Sequence, residues 1–129
     1  MPARILVCDD EPHITCTLAL RLRKAGFEVD VAENGVVGWD LIERAAPDLV
    51  ISDCQMPEMD GLELCRKIRN DYRFVQLPII LLTAKAYELP TKVLQRELDI
   101  AAVVSKPFSP RDMLQLVQVL TGNESYANN

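Results

Sequence analysis

Carboxylate, hydroxyl and amine side chains stand at the ends of the apolar runs of this sequence. Asp9 and Asp10 end the run "RILVCDD", Asp53 ends "LVISD", Thr83 ends "IILLT", and Lys106 follows "AAVVS". Neighbouring carboxylates repel one another unless a cation lies among them. Oxygen ligands with room for water suit Mg²⁺ better than zinc. These residue types therefore indicate a magnesium site, provided that the fold brings them to one place.

The same residues could also bind and accept a phosphoryl group. A divalent ion beside a carboxylate can neutralise an incoming phosphoryl group, and the carboxylate can then attack phosphorus to form an acyl phosphate. Lys106 offers a compact positive charge to one phosphoryl oxygen, and the Thr83 hydroxyl can donate to another. Asp53 is the candidate nucleophile, because it ends its apolar run with no cation beside it in the sequence.

Five short β-rich runs alternate with five helical patterns along the chain. The runs cover residues 4–9, 28–32, 49–53, 79–83 and 101–105. The helical patterns cover residues 12–25, 35–46 and 89–98, with two more that begin at the capping residues Asp60 and Ser109. Most of the strands are apolar on both faces, which predicts a parallel sheet covered on both sides, in a doubly wound α/β domain. Ligands bind such a sheet at the carboxyl ends of its strands, where we expect the candidate residues to meet.

Length, composition and charge exclude several classes of function. The chain has 129 residues, and we predict one domain over residues 1–122 with a disordered polar tail over 123–129. A net charge of −5 and a pI near 4.8 argue against direct binding to nucleic acid or to an anionic membrane. Neither a signal peptide nor a membrane-spanning run is predicted, so we expect a cytoplasmic protein.

The cysteines and the single histidine offer little further chemistry. The four cysteines form no C-x-x-C pair, and we expect reduced, mostly buried thiols at Cys8, Cys16, Cys54 and Cys65. His13 follows a proline at the start of the first helical pattern and has no second histidine to act with, so we expect it at the surface.

Four motifs in order along the chain resemble the receiver domain of bacterial two-component response regulators, of the chemotaxis-regulator type. The motifs are "ILVCDDEP", "LVISDCQMPEMDG", "LLTA" and "SKPF", and together they cover the chain from about residue 4 to about residue 120. The resemblance implies a flavodoxin-like fold, in which a five-stranded parallel sheet of order 2-1-3-4-5 is flanked by five helices.

The resemblance also implies a role for each matching acid. Asp53 corresponds to the phosphoacceptor, and Mg²⁺ is the expected cofactor. Asp10 corresponds to a direct ligand of the metal, and Asp9 to a neighbour that acts through water. Gln55 stands where the family supplies a backbone carbonyl to the metal.

Other matching positions concern the phosphoryl group and the response to it. Thr83 and Lys106 match the residues that contact the phosphoryl group, and Pro107 matches a proline whose preceding bond is usually cis. The chain departs from the family at Val103, where members usually carry an aromatic residue, and at residues 99–100, where many have a Gly-Ala turn. We therefore expect an unusual response, carried by Thr83 and the loop after it, in which Tyr87 is a candidate for the moving aromatic.

By this resemblance the chain is a signalling module that catalyses only its own phosphorylation and dephosphorylation. The phosphoryl donor would be a histidine kinase or a histidine phosphotransfer domain, and the phosphorylated form would switch its binding to a downstream output domain or protein. A haloacid-dehalogenase-like phosphatase is a second candidate, but that family has its nucleophile after the first strand and an Asp where this chain has Glu11. Two further candidates are a pseudo-receiver that only binds partners and a flavodoxin-like flavin binder, although no Ser/Thr/Gly-rich loop follows the first run.

Overall fold

Strands and helices alternate through the whole of the computed structural model, which describes residues 2–85 and 89–122. The strands are β1 (Arg4–Cys8), β2 (Glu28–Ala32), β3 (Leu49–Asp53), β4 (Ile79–Thr83) and β5 (Ala102–Ser105). The α-helices are α1 (Pro12–Lys24), α2 (Gly35–Arg44), α3 (Gly61–Arg69), α4 (Thr91–Leu98) and α5 (Pro110–Thr121), and a short 3₁₀ helix covers Tyr72–Phe74. The predicted alternation is confirmed. Tyr87 and the tail over 123–129 lie outside the described residues.

The strands form one parallel sheet in the order β2-β1-β3-β4-β5, as predicted. β3 occupies the middle between β1 and β4, with Val7 of β1 opposite Ile51 of β3 in register. Successive residues of a strand point to opposite faces, so the sheet has one apolar core on each side. None of the helices among the described residues is long and apolar enough to span a membrane.

Local capping determines where α3 and α5 begin. The Asp60 side chain accepts the Glu63 N–H at 2.8 Å, and the Glu63 side chain accepts the Asp60 N–H at 3.2 Å, which completes the capping box predicted for α3. Ser109 Oγ accepts the Asp112 N–H at 3.2 Å at the start of α5. Both helices therefore begin at fixed points just after the strand ends that carry the candidate residues.

Small residues allow α2 to approach the sheet closely. Its buried positions are Gly35, Gly38 and Ile42, whereas Val37 is exposed. A Cβ atom on Gly38 would lie 2.8 Å from Cys8 Sγ, so the glycine is required by the close approach of the helix to β1. Cys8 belongs to the buried thiols, which were predicted, and burial raises its pKa to about 12. Such a thiol is a packing group rather than a reactive one.

Arg69 joins the end of α3 to the end of α4. Its guanidinium donates hydrogen bonds to the carbonyls of Leu98 at 2.7 Å and Asp99 at 3.2 Å. It also donates to the carbonyls of Phe74 at 2.7 Å and Leu77 at 2.6 Å. Asp99 adopts a left-handed backbone with φ 51°, in the turn where the sequence departs from the family pattern. The carboxyl end of α4 is therefore held by side chain and turn together.

Candidate active site

Three aspartates meet where β1 and β3 end. Asp9 follows β1, and its N–H donates to the Ala32 carbonyl at 3.0 Å, which fixes the chain just past the strand. Asp53 is the last residue of β3. Asp9 is 2 % and Asp53 is 7 % exposed, while Asp10 is exposed. One carboxylate oxygen from each of the three lies within 4.8 Å of the others. The structure thus brings the predicted acids together.

Lys106 reaches this acidic cluster from the end of β5. Its N–H donates to the Thr83 carbonyl at 2.8 Å, and the Lys106–Pro107 peptide bond is cis. The Lys106 ammonium lies 2.9 Å from Asp9 Oδ2 and 3.2 Å from Asp53 Oδ1. Burial disfavours the charged ammonium and by itself would lower the pKa of Lys106. The contacts of the ammonium to Asp9 and to a further carboxylate, Glu11, together with the negative charge of Asp53, outweigh burial, so the pKa is raised. Lys106 is therefore a permanent cation.

The electrostatics of Asp53 differ from those of an ordinary surface carboxylate. Burial is the main cause that raises the pKa of Asp53 to about 6, and the charge of Asp9 adds to it. Lys106 acts in the opposite direction but does not cancel the effect, and the charge of Asp10 adds a smaller increase. A cation bound among these carboxylates would lower this pKa, because it favours their charged forms.

The donor set at this edge fits Mg²⁺. Asp9 Oδ2 is buried and accepts no hydrogen bond from any residue that the structure describes, although the Lys106 ammonium lies beside it as an ion pair. A carboxylate oxygen has two lone pairs, so one can face Lys106 while the other accepts from metal-bound water. The remaining donors are carboxylate oxygens of Asp10 and Asp53, and hard oxygen ligands of this kind suit Mg²⁺. Gln55 is exposed in the loop between β3 and α3, two residues after Asp53.

The start of α3 fixes the backbone of Asp53 from behind. The Gly61 N–H donates to the Cys54 carbonyl at 3.0 Å. A Cβ atom on Gly61 would overlap the Asp53 carbonyl oxygen and would lie 3.0 Å from Cys54 Cα. Only a glycine lets the helix approach the strand end this closely, so the "MDG" that follows the strand serves to position Asp53.

Thr83 and Val103 lie on neighbouring strands but in different surroundings. Thr83 is 6 % exposed, and its hydroxyl oxygen accepts the Lys85 N–H at 3.0 Å, which leaves the hydroxyl proton for another partner. Val103 is half-buried on β5, opposite Leu81, and packs on the core beneath α3 and α4. Thr83 ends β4, the strand next to the one that ends in Asp53, whereas Val103 lies two residues before the end of β5.

Sequence reasoning gave no role to Glu11, which the structure places in direct contact with the site. Glu11 Oε1 lies 3.0 Å from Lys106 Nζ. His13 is at the surface as predicted, with its side chain 77 % exposed and Nε2 3.4 Å from Glu11 Oε2. One signal in the sequence could have indicated Glu11: glutamate is an uncommon choice for the residue that caps a helix.

Comparison with known proteins identifies the same family as the sequence motifs, along nearly the whole chain. The family model described as the response regulator receiver domain matches residues 5–118. A chemotaxis response regulator of Vibrio cholerae is 29 % identical with a TM-score of 0.84, and the match covers 93 % of this chain and 99 % of that one. A CheY-like response regulator receiver domain protein of Methanospirillum hungatei is 27 % identical with a TM-score of 0.86, covering 98 % and 99 % of the two chains.

A third similar structure contains the metal expected here. It is the receiver domain of a sensor histidine kinase from Pseudomonas aeruginosa, with a magnesium ion coordinated in its active-site cleft. The two chains are 26 % identical with a TM-score of 0.83, and the match covers 95 % of this chain and 99 % of that one. These matches do not favour the phosphatase or the pseudo-receiver.

Proposed function

The chain belongs to the response regulator receiver domain family, and on that premise we propose that Asp53 is its phosphoacceptor. The observation that carries the proposal is the position of this carboxylate at the buried end of β3. It lies 3.2 Å from a permanent ammonium and within 4.8 Å of two further carboxylates. The ends of three separate strands thus carry the proposed nucleophile, the proposed cation for the phosphoryl group and the proposed metal ligands.

The proposed reaction transfers a phosphoryl group to an oxygen of Asp53. The bond between phosphorus and the donor nitrogen breaks as the bond to the carboxylate oxygen forms, which yields an acyl phosphate. Lys106 contacts a phosphoryl oxygen, and the Thr83 hydroxyl can donate its proton to another. Asp9, Asp10, Asp53 and the backbone carbonyl of Gln55 would hold Mg²⁺, which when bound offsets the negative charge that the acids and the phosphoryl group bring together.

The partners that we propose are a histidine kinase or a histidine phosphotransfer domain as donor, and a downstream output domain or protein as receiver of the signal. We further propose that the domain works in the cytoplasm and turns over no substrate other than its own phosphoryl group.

Incubation with a small acyl-phosphate donor and Mg²⁺, followed by intact-mass measurement, tests the proposal. The wild-type protein should gain the mass of one phosphoryl group, and Asp53→Asn should gain none. Asp40→Asn is a matched control, because Asp40 lies on the exposed side of α2 in an ion pair with Arg44 and should not affect the reaction. Equal rates of mass gain in the wild type and Asp53→Asn would rule out Asp53 as the phosphoacceptor.

A further inference from the structure

The side chain of Glu11 reaches across the site to Lys106, 95 positions further along the chain. Three carboxylates lie within 3.2 Å of the Lys106 ammonium. Among the described residues, Glu11 is the one that accepts a hydrogen bond of good geometry, at 3.0 Å, while Asp9 and Asp53 contact the ammonium as ion pairs. Glu11 therefore helps to orient the N–H groups of Lys106, together with the ion pairs to Asp9 and Asp53.

The backbone of Glu11 is fixed, so its side chain starts from a defined point. The Glu11 N–H donates to Asp9 Oδ1 at 3.0 Å, and its carbonyl accepts the N–H groups of Ile14 and Thr15 as α1 begins. Glu11 is the N-cap residue of α1, a position that favours Ser, Thr, Asp or Asn because their short side chains bond to the first turn. The Glu11 side chain makes no such bond. Capping does not account for a glutamate here, whereas the contact to Lys106 does.

A phosphoryl group on Asp53 would compete for the same ammonium. An ammonium has three N–H donors, and a phosphoryl group brings further acceptor oxygens with a charge of about −1.5 to −2. Asp9 and Asp53 are buried and cannot move into water, but the Glu11 side chain is 44 % exposed. Its carboxylate can be solvated at small cost if the contact breaks. Of the three contacts, that of Glu11 is the easiest for Lys106 to exchange.

We propose that Glu11 is a positioning residue, which orients Lys106 in the unphosphorylated protein and is released when Asp53 carries the phosphoryl group. This inference rests on the proposed role of Asp53. The Glu11–Lys106 contact is then present in one state and absent in the other, so it opposes phosphorylation and removing it should favour the phosphorylated state.

Beryllofluoride, which occupies the phosphoryl position on an aspartate carboxylate, measures this effect in the presence of Mg²⁺. Glu11→Gln keeps the size of the side chain, and it should bind beryllofluoride roughly two- to five-fold more tightly than the wild type, the range expected of a half-exposed ion pair. Glu11→Asp keeps the charge but draws the carboxylate back from Lys106, so it should show a similar gain. Glu33→Gln is the control, since Glu33 is an exposed acid just after β2 at the same edge of the sheet and should have no effect.

Each result distinguishes the contact between Glu11 and Lys106 from a general effect of negative charge near the site. Equal affinities of the wild type and Glu11→Gln would overturn the proposal and leave the role of Asp53 intact. A gain in Glu11→Gln that Glu11→Asp lacks, or that Glu33→Gln shares, would point to general charge and would also overturn it. The ¹⁵N signal of the Lys106 ammonium should move in Glu11→Gln but not in Glu33→Gln, and an unmoved signal would count against the proposal. A wild-type protein that fails to bind beryllofluoride would instead contradict the proposed function.

Discussion

The strand β3, which carries Asp53, is buried at every position, whereas β5, which carries Val103 and leads into Lys106, forms one edge of the sheet and has no fully buried residue. β3 has a hydrogen-bonded neighbour on each side, and the start of α3 packs against its end at Gly61. β5 pairs with β4 alone. The middle of the sheet therefore fixes the proposed phosphoacceptor, and the edge strand leads into the lysine that contacts it.

This difference corresponds to two different physical requirements. A carboxylate whose pKa is raised by burial needs a rigid, desolvated position, which neighbours on every side provide. A response to phosphorylation needs an element with two arrangements of similar free energy, and a half-buried edge or a loop permits this more readily than a central strand. Variants at the central strand β3 and at the edge strand β5 should therefore have effects of different size, which can be measured.

The largest effect is expected from Gly61→Ala in the central region. The added Cβ atom would overlap the Asp53 carbonyl oxygen, which is backbone and cannot turn aside. We expect the free energy of unfolding, measured with urea, to fall by about 3 kcal/mol. Phosphorylation should slow as well, because the backbone of Asp53 is displaced.

Gly38→Ala provides the matched comparison on the same side of the sheet. Its Cβ atom would lie 2.8 Å from the Cys8 thiol, which is a side-chain atom and can shift more easily than backbone. We expect a smaller loss of stability and an unchanged rate of phosphorylation. Equal losses in both variants would mean that α3 can move away from β3, and that the central region is less rigid than the contacts at Gly61 indicate.

Most of the central region was predictable from the sequence, because its signals are local. Apolar runs ending in Asp9, Asp53 and Thr83 predict parallel strands with polar ends, and Asp60 followed by Glu63 predicts the start of α3. The predicted helix ends differ from the observed ones by up to two residues, as at α2 and α4, since terminal turns depend on tertiary contacts.

The features that sequence reasoning missed depend on contacts between distant residues. The hydrogen bond of Glu11 to Lys106 depends on a rotamer and on a loop after β5, which no periodic pattern contains. The buried glycines of α2 have no side chain to appear in an apolar stripe, although they define the packed face of that helix. The 3₁₀ helix over Tyr72–Phe74 and the bridge made by Arg69 likewise follow from packing around α3.

A smaller effect is expected from Asp53→Asn on the stability of the metal-free protein. The folded-state pKa of Asp53 is about 6, above the ordinary value of 3.8, so the folded protein binds this proton more tightly than the unfolded chain does. The stabilisation that the folded protein gains by binding this proton on Asp53 is complete below about pH 4 and is lost as the pH rises through about 6. At pH 7 Asp53→Asn should therefore be more stable than the wild type by about 2 kcal/mol, with little difference at pH 4.

Addition of Mg²⁺ should reverse this order at pH 7. A ligand that binds the folded state stabilises it by an amount that grows with its concentration, and the wild type retains the charge that the variant lacks. Thermal or urea unfolding of the wild type and the variant, at pH 4 and pH 7 and with and without Mg²⁺, measures the difference in their stability under each of these four conditions. If the metal-free variant and the wild type are equally stable at pH 7, Asp53 is better solvated than its burial indicates, and the contrast between the two regions is weaker.

The smallest effect concerns Val103 at the edge. Valine is short and stiff at χ1, so a change of its rotamer displaces only a methyl group. Val103 therefore cannot provide the two arrangements that a response needs, and the chain from Thr83 to Pro90 remains as the candidate. The Thr83 hydroxyl oxygen already accepts the Lys85 N–H, and Pro90, the N-cap residue of α4, provides no side-chain cap. At its carboxyl end α4 is held by the hydrogen bonds from Arg69.

Amide chemical shifts with and without beryllofluoride and Mg²⁺ test this argument residue by residue. The largest changes should fall within residues 83–90, which include Tyr87, with smaller changes along α5 and little change at Leu98 and Asp99. Val103→Ala and the control Val104→Ala, whose side chain packs on the opposite face of β5, should each lower the free energy of unfolding by about 1 kcal/mol and leave that pattern intact. If β5 and α5 respond as strongly as the loop, or if only Val103→Ala alters the pattern, then the edge strand itself is the switching element, and valine suffices where an aromatic residue was expected.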